Sequence, residues 1–164
     1  MLLGGAGNDD ITGGLGADVI DLGPAADFDI IRYASAADSR AAAMDRILGF
    51  TQSGAGFDRI GFENDADALF TGVTATAIAL GSRVVVEGAS TMDDLVAQLS
   101  GLAASTAGTL SVTQVDVNFG GAAGRYLVVN DTDAAFDPTT DMLIGLGMAA
   151  GSTSNLTAGN FFLY

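Results

Sequence analysis

The 164-residue sequence predicts a mainly β fold: a parallel β-roll continuing into a β-rich C-terminal cap with one helix. Three observations carry that prediction. The first is a tandem nonapeptide, Gly4-Gly5-Ala6-Gly7-Asn8-Asp9-Asp10-Ile11-Thr12 followed directly by Gly13-Gly14-Leu15-Gly16-Ala17-Asp18-Val19-Ile20-Asp21. The second is composition. Of 20 acidic residues 18 are Asp, and they accompany 23 Gly, a pairing that belongs in turns and not in helices. The third is the second half of the chain, where β-branched runs alternate with turn signals and one stretch carries a helical period.

Both nonapeptides fit G-G-x-G-x-D-x-U-x at every fixed position, with U a large aliphatic residue. Isolated Gly-Asp hairpin turns do not repeat a full nonapeptide in register. The glycines let the backbone turn through conformations closed to other residues and bring carbonyl oxygens close to an ion. The Asp adds a charged oxygen, a hard ligand suited to Ca2+. The x-U-x tail is a short strand whose U side chain points inward. Two nonapeptides make one coil, so turns on one edge lie two repeats apart and calcium sits between stacked turns. Gly4, Gly5, Gly7, Asp9, Gly13, Gly14, Gly16 and Asp18 are therefore candidate calcium-site residues.

The pattern continues in degraded form. Leu2 occupies the U position of a truncated repeat, so the chain opens within a coil and is expected to belong to a longer protein. Downstream, Asp27 keeps the nine-residue period but places Asp29 at the U position. Asp29 with Ile31 keeps the D-x-U spacing after a two-residue insertion, which makes Asp29 the better ligand. Asp9 and Asp29 would face one ion, while Asp18 shares one with the next turn or with a coil preceding residue 1. The inward row is Leu2, Ile11, Ile20, Ile31, Ile47 and Ile60.

The roll-like part runs over residues 1–62, and Glu63-Asn-Asp-Ala-Asp67 opens a β-rich part over 63–164. Val73–Leu80 and Arg83–Glu87 read as strands joined by Gly81-Ser82. Ser90 with Asp93 approaches a capping box ahead of a helix whose apolar face is Met92, Leu95, Val96, Leu99 and Leu102, ending at Gly101 or Gly108. Thr109–Phe119 and Arg125–Val129 read as a hairpin. Its turn, Gly120–Gly124, echoes the repeat but carries Arg125 at the ligand position. Met142–Leu146 and Phe161–Leu163 complete the strands. The Asn130–Asp141 loop collects four Asp without the Gly and terminal Glu of an EF-hand, and reads as solvated.

Composition excludes several classes of function. Zero His and zero Cys remove zinc sites, disulfide scaffolds and thiol or imidazole catalysis. With six Arg, no Lys and a net charge of −14, a phosphate-tracking nucleic-acid surface is not expected. The apolar runs are too short to span a bilayer, and Met1–Gly5 does not read as a signal peptide. Carboxylate pairs such as Asp93/Asp94 or Asp131/Asp141 are what remains for catalysis. The first pair is better explained by the helix dipole, so an enzyme is not expected.

The repeats resemble the C-terminal end of RTX-type proteins exported by bacterial type I secretion, such as serralysin-like proteases and surface-layer or adhesin proteins. The likeness extends past the nonapeptides. Asp29-Ile-Ile-Arg-Tyr-Ala-Ser-Ala-Ala-Asp38-Ser39 looks like the strand that ends such rolls. Asp45-Arg-Ile-Leu-Gly-Phe50 and Gly56-Phe-Asp58-Arg-Ile-Gly-Phe62 are similar to the family's paired D-x-I-x-D-F and D-x-I-D-L segments, with Gly49 and Gly61 where acids are usual. Asp45 and Asp58 stay open between ligands and solvated turn residues. Tyr126–Asp131, Ala135-Phe136, Thr140–Ile144 and Leu156–Phe162 resemble surface-layer C-terminal regions more loosely. Asn160-Phe-Phe-Leu-Tyr164 resembles the tail of an uncleaved type I secretion signal.

The resemblance implies a non-catalytic, secreted, extracellular or surface-attached module that binds calcium, meets the type I secretion machinery and assembles with its own copies. The alternative it implies is the export tail of a secreted hydrolase whose catalytic domain lies upstream.

Overall fold

The computed structural model describes residues 1–24, 27–64, 75–100, 102, 109–130, 135–148 and 155–164. Six short strands come first: β1 (Leu2–Leu3), β2 (Asp10–Thr12), β3 (Val19–Asp21), β4 (Ile30–Tyr33), β5 (Arg46–Leu48) and β6 (Arg59–Phe62). They alternate between two sheets. In one, β1, β3 and β5 pair in parallel with Leu2, Ile20 and Ile47 in register. In the other, β2, β4 and β6 pair in parallel with Ile11, Ile31 and Ile60 in register. The inward row read from the D-x-U spacing is thus two facing columns in one apolar cluster, with Leu2 packed at its margin. Burying each isoleucine contributes about 1.5–3 kcal/mol.

This alternation creates two edges. The turns 4–9, 22–29 and 49–58 leave the first sheet along one edge. The turns 13–18 and 34–45 return to it along the other. Along the first edge the turns stack closely. Gly23 has φ +93, and a Cβ there would collide with the carbonyl of Gly5.

Beyond residue 62 the chain adds strands to both sheets. These are β7 (Ala77–Leu80), β8 (Val84–Val86), β9 (Thr109–Val117), β10 (Gly124–Asn130), β11 (Met142–Leu146) and β12 (Phe161–Leu163). β11 pairs in parallel with β5, setting Leu146 beside Ile47, and β10 lies antiparallel between β11 and β9. β12 pairs in parallel with β6, setting Phe161 beside Ile60. The described fold is therefore mainly β, with one all-parallel sheet, one mixed sheet and, among the described residues, one α-helix.

The strands expected before residue 90 form, but not as a simple pair. β7 runs parallel to the first half of β9 and β8 to its second half, so Gly81 and Ser82 step the chain along β9. Val73 lies outside the described residues, as do Gly101, Gly108 and Asp65 to Asp67.

β9 has apolar residues on both faces because both are covered. Leu110 and Val112 join the core between the sheets, whereas Val115 and Val117 join a second core with Val128, Leu143 and the buried Leu95 and Leu99 of α1 (Met92–Leu99). The layers run helix, mixed sheet, parallel sheet. The helix begins one residue later than the Ser90/Asp93 pairing suggests. Thr91 is the extended N-cap. Its hydroxyl accepts the Asp94 amide at 3.1 Å, and the Asp94 carboxylate accepts the Thr91 amide at 3.2 Å.

Candidate metal centre

The Asp of each D-x-U unit directly precedes its strand, so parallel stacking brings these residues into columns. On the first edge, Asp29 Oδ1 accepts the amide of Asp9 at 2.8 Å and Asp58 Oδ1 accepts the amide of Asp29 at 3.0 Å. On the second edge, Asp45 Oδ1 accepts the amide of Asp18 at 2.8 Å. The amide of Asp45 in turn donates to the Ser39 hydroxyl at 2.9 Å, which donates to the carbonyl of Leu143 at 2.7 Å. Each carboxylate is thereby fixed against the backbone of the coil before it, and the second column ends on a hydroxyl.

Asp27 and Asp29 take different places in the structure. Asp29 is buried and stands in the column. Asp27 lies further out, where its carboxylate accepts the Gly7 amide at 2.8 Å. Asp45 and Asp58 are not solvated turn residues, being 0 % and 2 % exposed. Asp58 also accepts the Thr51 amide at 2.7 Å, and Asn160 Nδ2 donates to the Asp58 carbonyl at 3.0 Å. The repeat glycines Gly5, Gly7, Gly14 and Gly16 all have positive φ, as their turn positions require.

Gly4 and Gly13 serve differently. The point where a Cβ of Gly13 would sit is 3.2 Å from Asp45 Oδ2 and 3.4 Å from Asp18 Oδ2. The equivalent point at Gly4 is 3.0 Å from both Asp9 Oδ2 and the Leu22 carbonyl oxygen. At each edge, two hard oxygens therefore converge on a spot that a side chain would fill. Asp9 Oδ2 and Asp45 Oδ2 are buried and make no hydrogen bond. A buried carboxylate oxygen without a partner carries a desolvation cost.

The electrostatics follow from that crowding. Burial pushes the Asp45 carboxyl up to about 6; the Asp18 amide and the facing Tyr33 hydroxyl oppose the rise, and the charges of Asp18 and Asp38 add to it. The fully buried Tyr33 is pushed well above 10, by burial first and then by Asp45. Its hydroxyl faces Asp45 but makes no hydrogen bond of good geometry. Burial also raises Asp29 and Asp58, and neighbouring Asp9, Asp27 and Asp29 charges reinforce the shift. On the second edge the Met1 ammonium stands 3.9 Å from Asp18 Oδ1. Among the described residues, no group of three or more acidic side chains is close enough to hold a metal ion by itself. An ion at either edge would need backbone carbonyls, such as that of Leu22, beside the carboxylates. This donor set suits calcium, which takes six to eight oxygens with flexible geometry.

The other acidic sites resolve differently. Asp93 and Asp94 lie exposed in the first turn of α1, and Asp94 is spent in the capping box. In the 130–141 loop, Asp131 and Asp133 lie outside the described residues. Asp141 is buried, accepting the Asp137 amide at 2.7 Å, while Asp137 is exposed. One buried charge cluster went unread in the sequence. Asp116 accepts from Arg125 Nε at 2.7 Å and Arg125 Nη2 at 3.1 Å, with both residues fully buried, and Arg83 Nε stands 3.2 Å from the same carboxylate. The hairpin register sets Arg125 directly opposite Asp116, so centring the turn on residues 118–123 could have found it.

The C-terminal strand also has a defined place. The Phe162 ring lies over the backbone of Gly61, with the guanidinium of Arg59 4.5 Å and that of Arg32 5.4 Å from the ring centre. Arg32 also stands 4.6 Å from the Tyr164 ring. Among the described residues no helix is long and apolar enough to cross a membrane. No family model matches the chain, and no curated protein matches it.

Proposed function

We propose that the chain is a non-catalytic, calcium-binding module of the RTX type, folding as a parallel β-roll with a β-rich cap when calcium is present. The observation that carries this reading is the pair of aspartate columns, with the Oδ2 atoms of Asp18 and Asp45 converging over Gly13 and no hydrogen bond to Asp45 Oδ2. Bound calcium would supply the positive charge that these facing carboxylates lack. Asp9, Asp29 and Asp58 on one edge, and Asp18 and Asp45 on the other, are the residues that would hold it, with turn carbonyls completing the shell.

In calcium-poor surroundings the columns repel, and the glycine-rich turns carry a high entropy of ordering. At neutral pH the module is then largely unfolded, a state suited to passage through an export channel. Where calcium is plentiful, binding and folding are coupled. In this reading the module belongs to an exported, cell-surface or matrix protein, sent out by type I secretion and associating with its own copies.

Circular dichroism with millimolar calcium and then with excess EDTA tests the reading. Chelator-reversible loss of β structure is expected, and identical spectra in the two buffers would overturn it. Light scattering in calcium tests the association: growth of ordered assemblies is expected, whereas a strict monomer favours the tail of a secreted hydrolase.

A further inference from the structure

Strand β8 pairs with β9 alone, so its other edge meets no described strand. The Val86 carbonyl accepts the Asn118 amide at 3.0 Å, which turns the backbone of Val86 towards β9. Backbone direction alternates along a strand, so the N–H and C=O groups of Arg83, Val85 and Glu87 face outward. All three residues are exposed, Val85 by 44 %. Three consecutive valines favour a strand, and no Lys or Pro stands within residues 83–87 to blunt the edge.

A second observation falls on the same edge. Apart from Met1, Leu3 and Leu15 in the first turns of the roll, the exposed large apolar residues among those described are Leu80, Val85 and Phe119. Leu80 ends β7, which lies in line with β8 along β9. Val85 is the middle of β8, and the Phe119 ring lies against Gly88 just past it.

The edge is also complementary to itself. Laid antiparallel to a copy with Val85 on the twofold axis, Arg83-Val84-Val85-Val86-Glu87 sets Arg83 opposite Glu87 of the copy, and the reverse. Since Arg83, Val85 and Glu87 turn their backbones outward, each of these pairs would exchange both N–H···O bonds. The charged groups have capacity left. Arg83 sets Nε 3.2 Å from Asp116 and donates from Nη1 to Asn155 Oδ1 at 3.1 Å, which leaves Nη2. Glu87 accepts Asn118 Nδ2 on Oε2 at 3.2 Å, which leaves Oε1. The same axis carries Phe119 towards the Leu80 end of the copy. The other described edge strands lack this complementarity. With their flanking residues, β1, β7 and β12 have no charged side chain, and β2 has only Asp9 and Asp10.

We propose that the chain forms a twofold dimer through β8, joining the mixed sheets of two copies. This names a surface for the self-association proposed above and rests on that part of the reading alone, not on calcium coordination. A second copy is favoured over an unrelated peptide because the edge itself supplies both charges of its complement.

The test is sedimentation equilibrium in calcium, with circular dichroism to establish that each chain is folded. A reversible monomer–dimer equilibrium is expected. Amide exchange followed by NMR should slow at Val85 and Glu87 as concentration rises, with Val86 little changed. Val85→Lys sets two ammonium groups on the axis, and Glu87→Arg sets Arg opposite Arg83 at both ends. Each should raise the dimer dissociation constant roughly tenfold or more. Chains carrying Glu87→Arg and Arg83→Glu, each weakened alone, should form a mixed dimer in which Arg meets Glu at both ends. If Arg83→Glu fails to fold beside Asp116, the other two variants carry the test. A folded monomer at every concentration in calcium, or a dimer unaffected by Val85→Lys and Glu87→Arg, would overturn the proposal and leave the calcium reading standing. Identical spectra in calcium and EDTA, with a dimer that Val85→Lys disrupts, would overturn the calcium reading and uphold the dimer.

Discussion

The amide of Asp18 donates to Asp45 Oδ1 at 2.8 Å, while Asp45 Oδ2 is buried with no hydrogen-bond partner. One half of this carboxylate is thus tied to the preceding coil. The other half faces Asp18 across the bare α-carbon of Gly13. The arrangement is favourable as a hydrogen bond and unfavourable as a charge, and the consequences below follow from that conflict.

Asp45→Asn keeps an acceptor for the Asp18 amide and removes the buried charge. Without calcium the variant should be more stable than the parent, by about 1–3 kcal/mol. With calcium its stabilisation should be smaller. The folded fraction by circular dichroism in EDTA and chemical-denaturation curves in calcium check the two halves, and a variant with less folded structure than the parent in EDTA would contradict the electrostatic account.

The pH dependence has a definite sign. The Asp45 carboxyl titrates near 6 in the fold against 3.8 in the unfolded chain, so the folded state binds the proton more tightly. Without calcium, stability should rise as pH falls from above 6 towards 4, and be lost again as pH rises through 6. Asp29 and Asp58 are raised as well and act in the same direction. Calcium requires the ionised carboxylates, so its stabilising effect should shrink over the same window. The folded fraction by circular dichroism from pH 7.5 to 5 in EDTA, and thermal unfolding over the same range in calcium, read the two trends.

Arg125→Met should cost roughly 3–5 kcal/mol, because it leaves the fully buried Asp116 with Arg83 as its remaining described cation. Double replacement of Asp116 and Arg125 by apolar residues of similar volume should recover most of that loss. Urea denaturation of the single and double variants measures it, and a neutral Arg125→Met would show that the pair is not a buried ion pair in solution.

Gly61→Ala should loosen the C-terminal strand, since a Cβ there would lie 2.5 Å from the Phe162 ring. A cost of about 1–3 kcal/mol is expected. Limited proteolysis followed by mass spectrometry should show earlier cleavage near residues 160–164 than in the parent.

That glycine also shows where reading the sequence stops. Gly61 registers there as a missing acid, and its role emerges only when Phe162, far along the chain, is laid over it. The nonapeptide period is enough to find Ile11 and Ile20 as core residues and Asp9 and Asp18 as an ordered set, and the D-x-U spacing carries both series across a two-residue insertion to Ile31 and Asp29. The turns 34–45 and 49–58 break the period, so the burial of Asp45 and Asp58 depended on knowing which backbone amides they meet. Ser90 and Thr91 are each followed by an Asp three residues on, and the reciprocal hydrogen bonds between Thr91 and Asp94 decide between them. The Asp116–Arg125 pair needed the hairpin register, and the path of β7 and β8 along β9 needed tertiary context.

Calcium binding by equilibrium dialysis at pH 7.5, comparing the parent with an Asp18→Asn, Asp45→Asn double variant, tests the central claim most directly. The account predicts saturable binding to the parent, with magnesium a poor competitor and fewer ions bound by the variant. No saturable calcium binding by the parent, or equal binding by both chains, would contradict it.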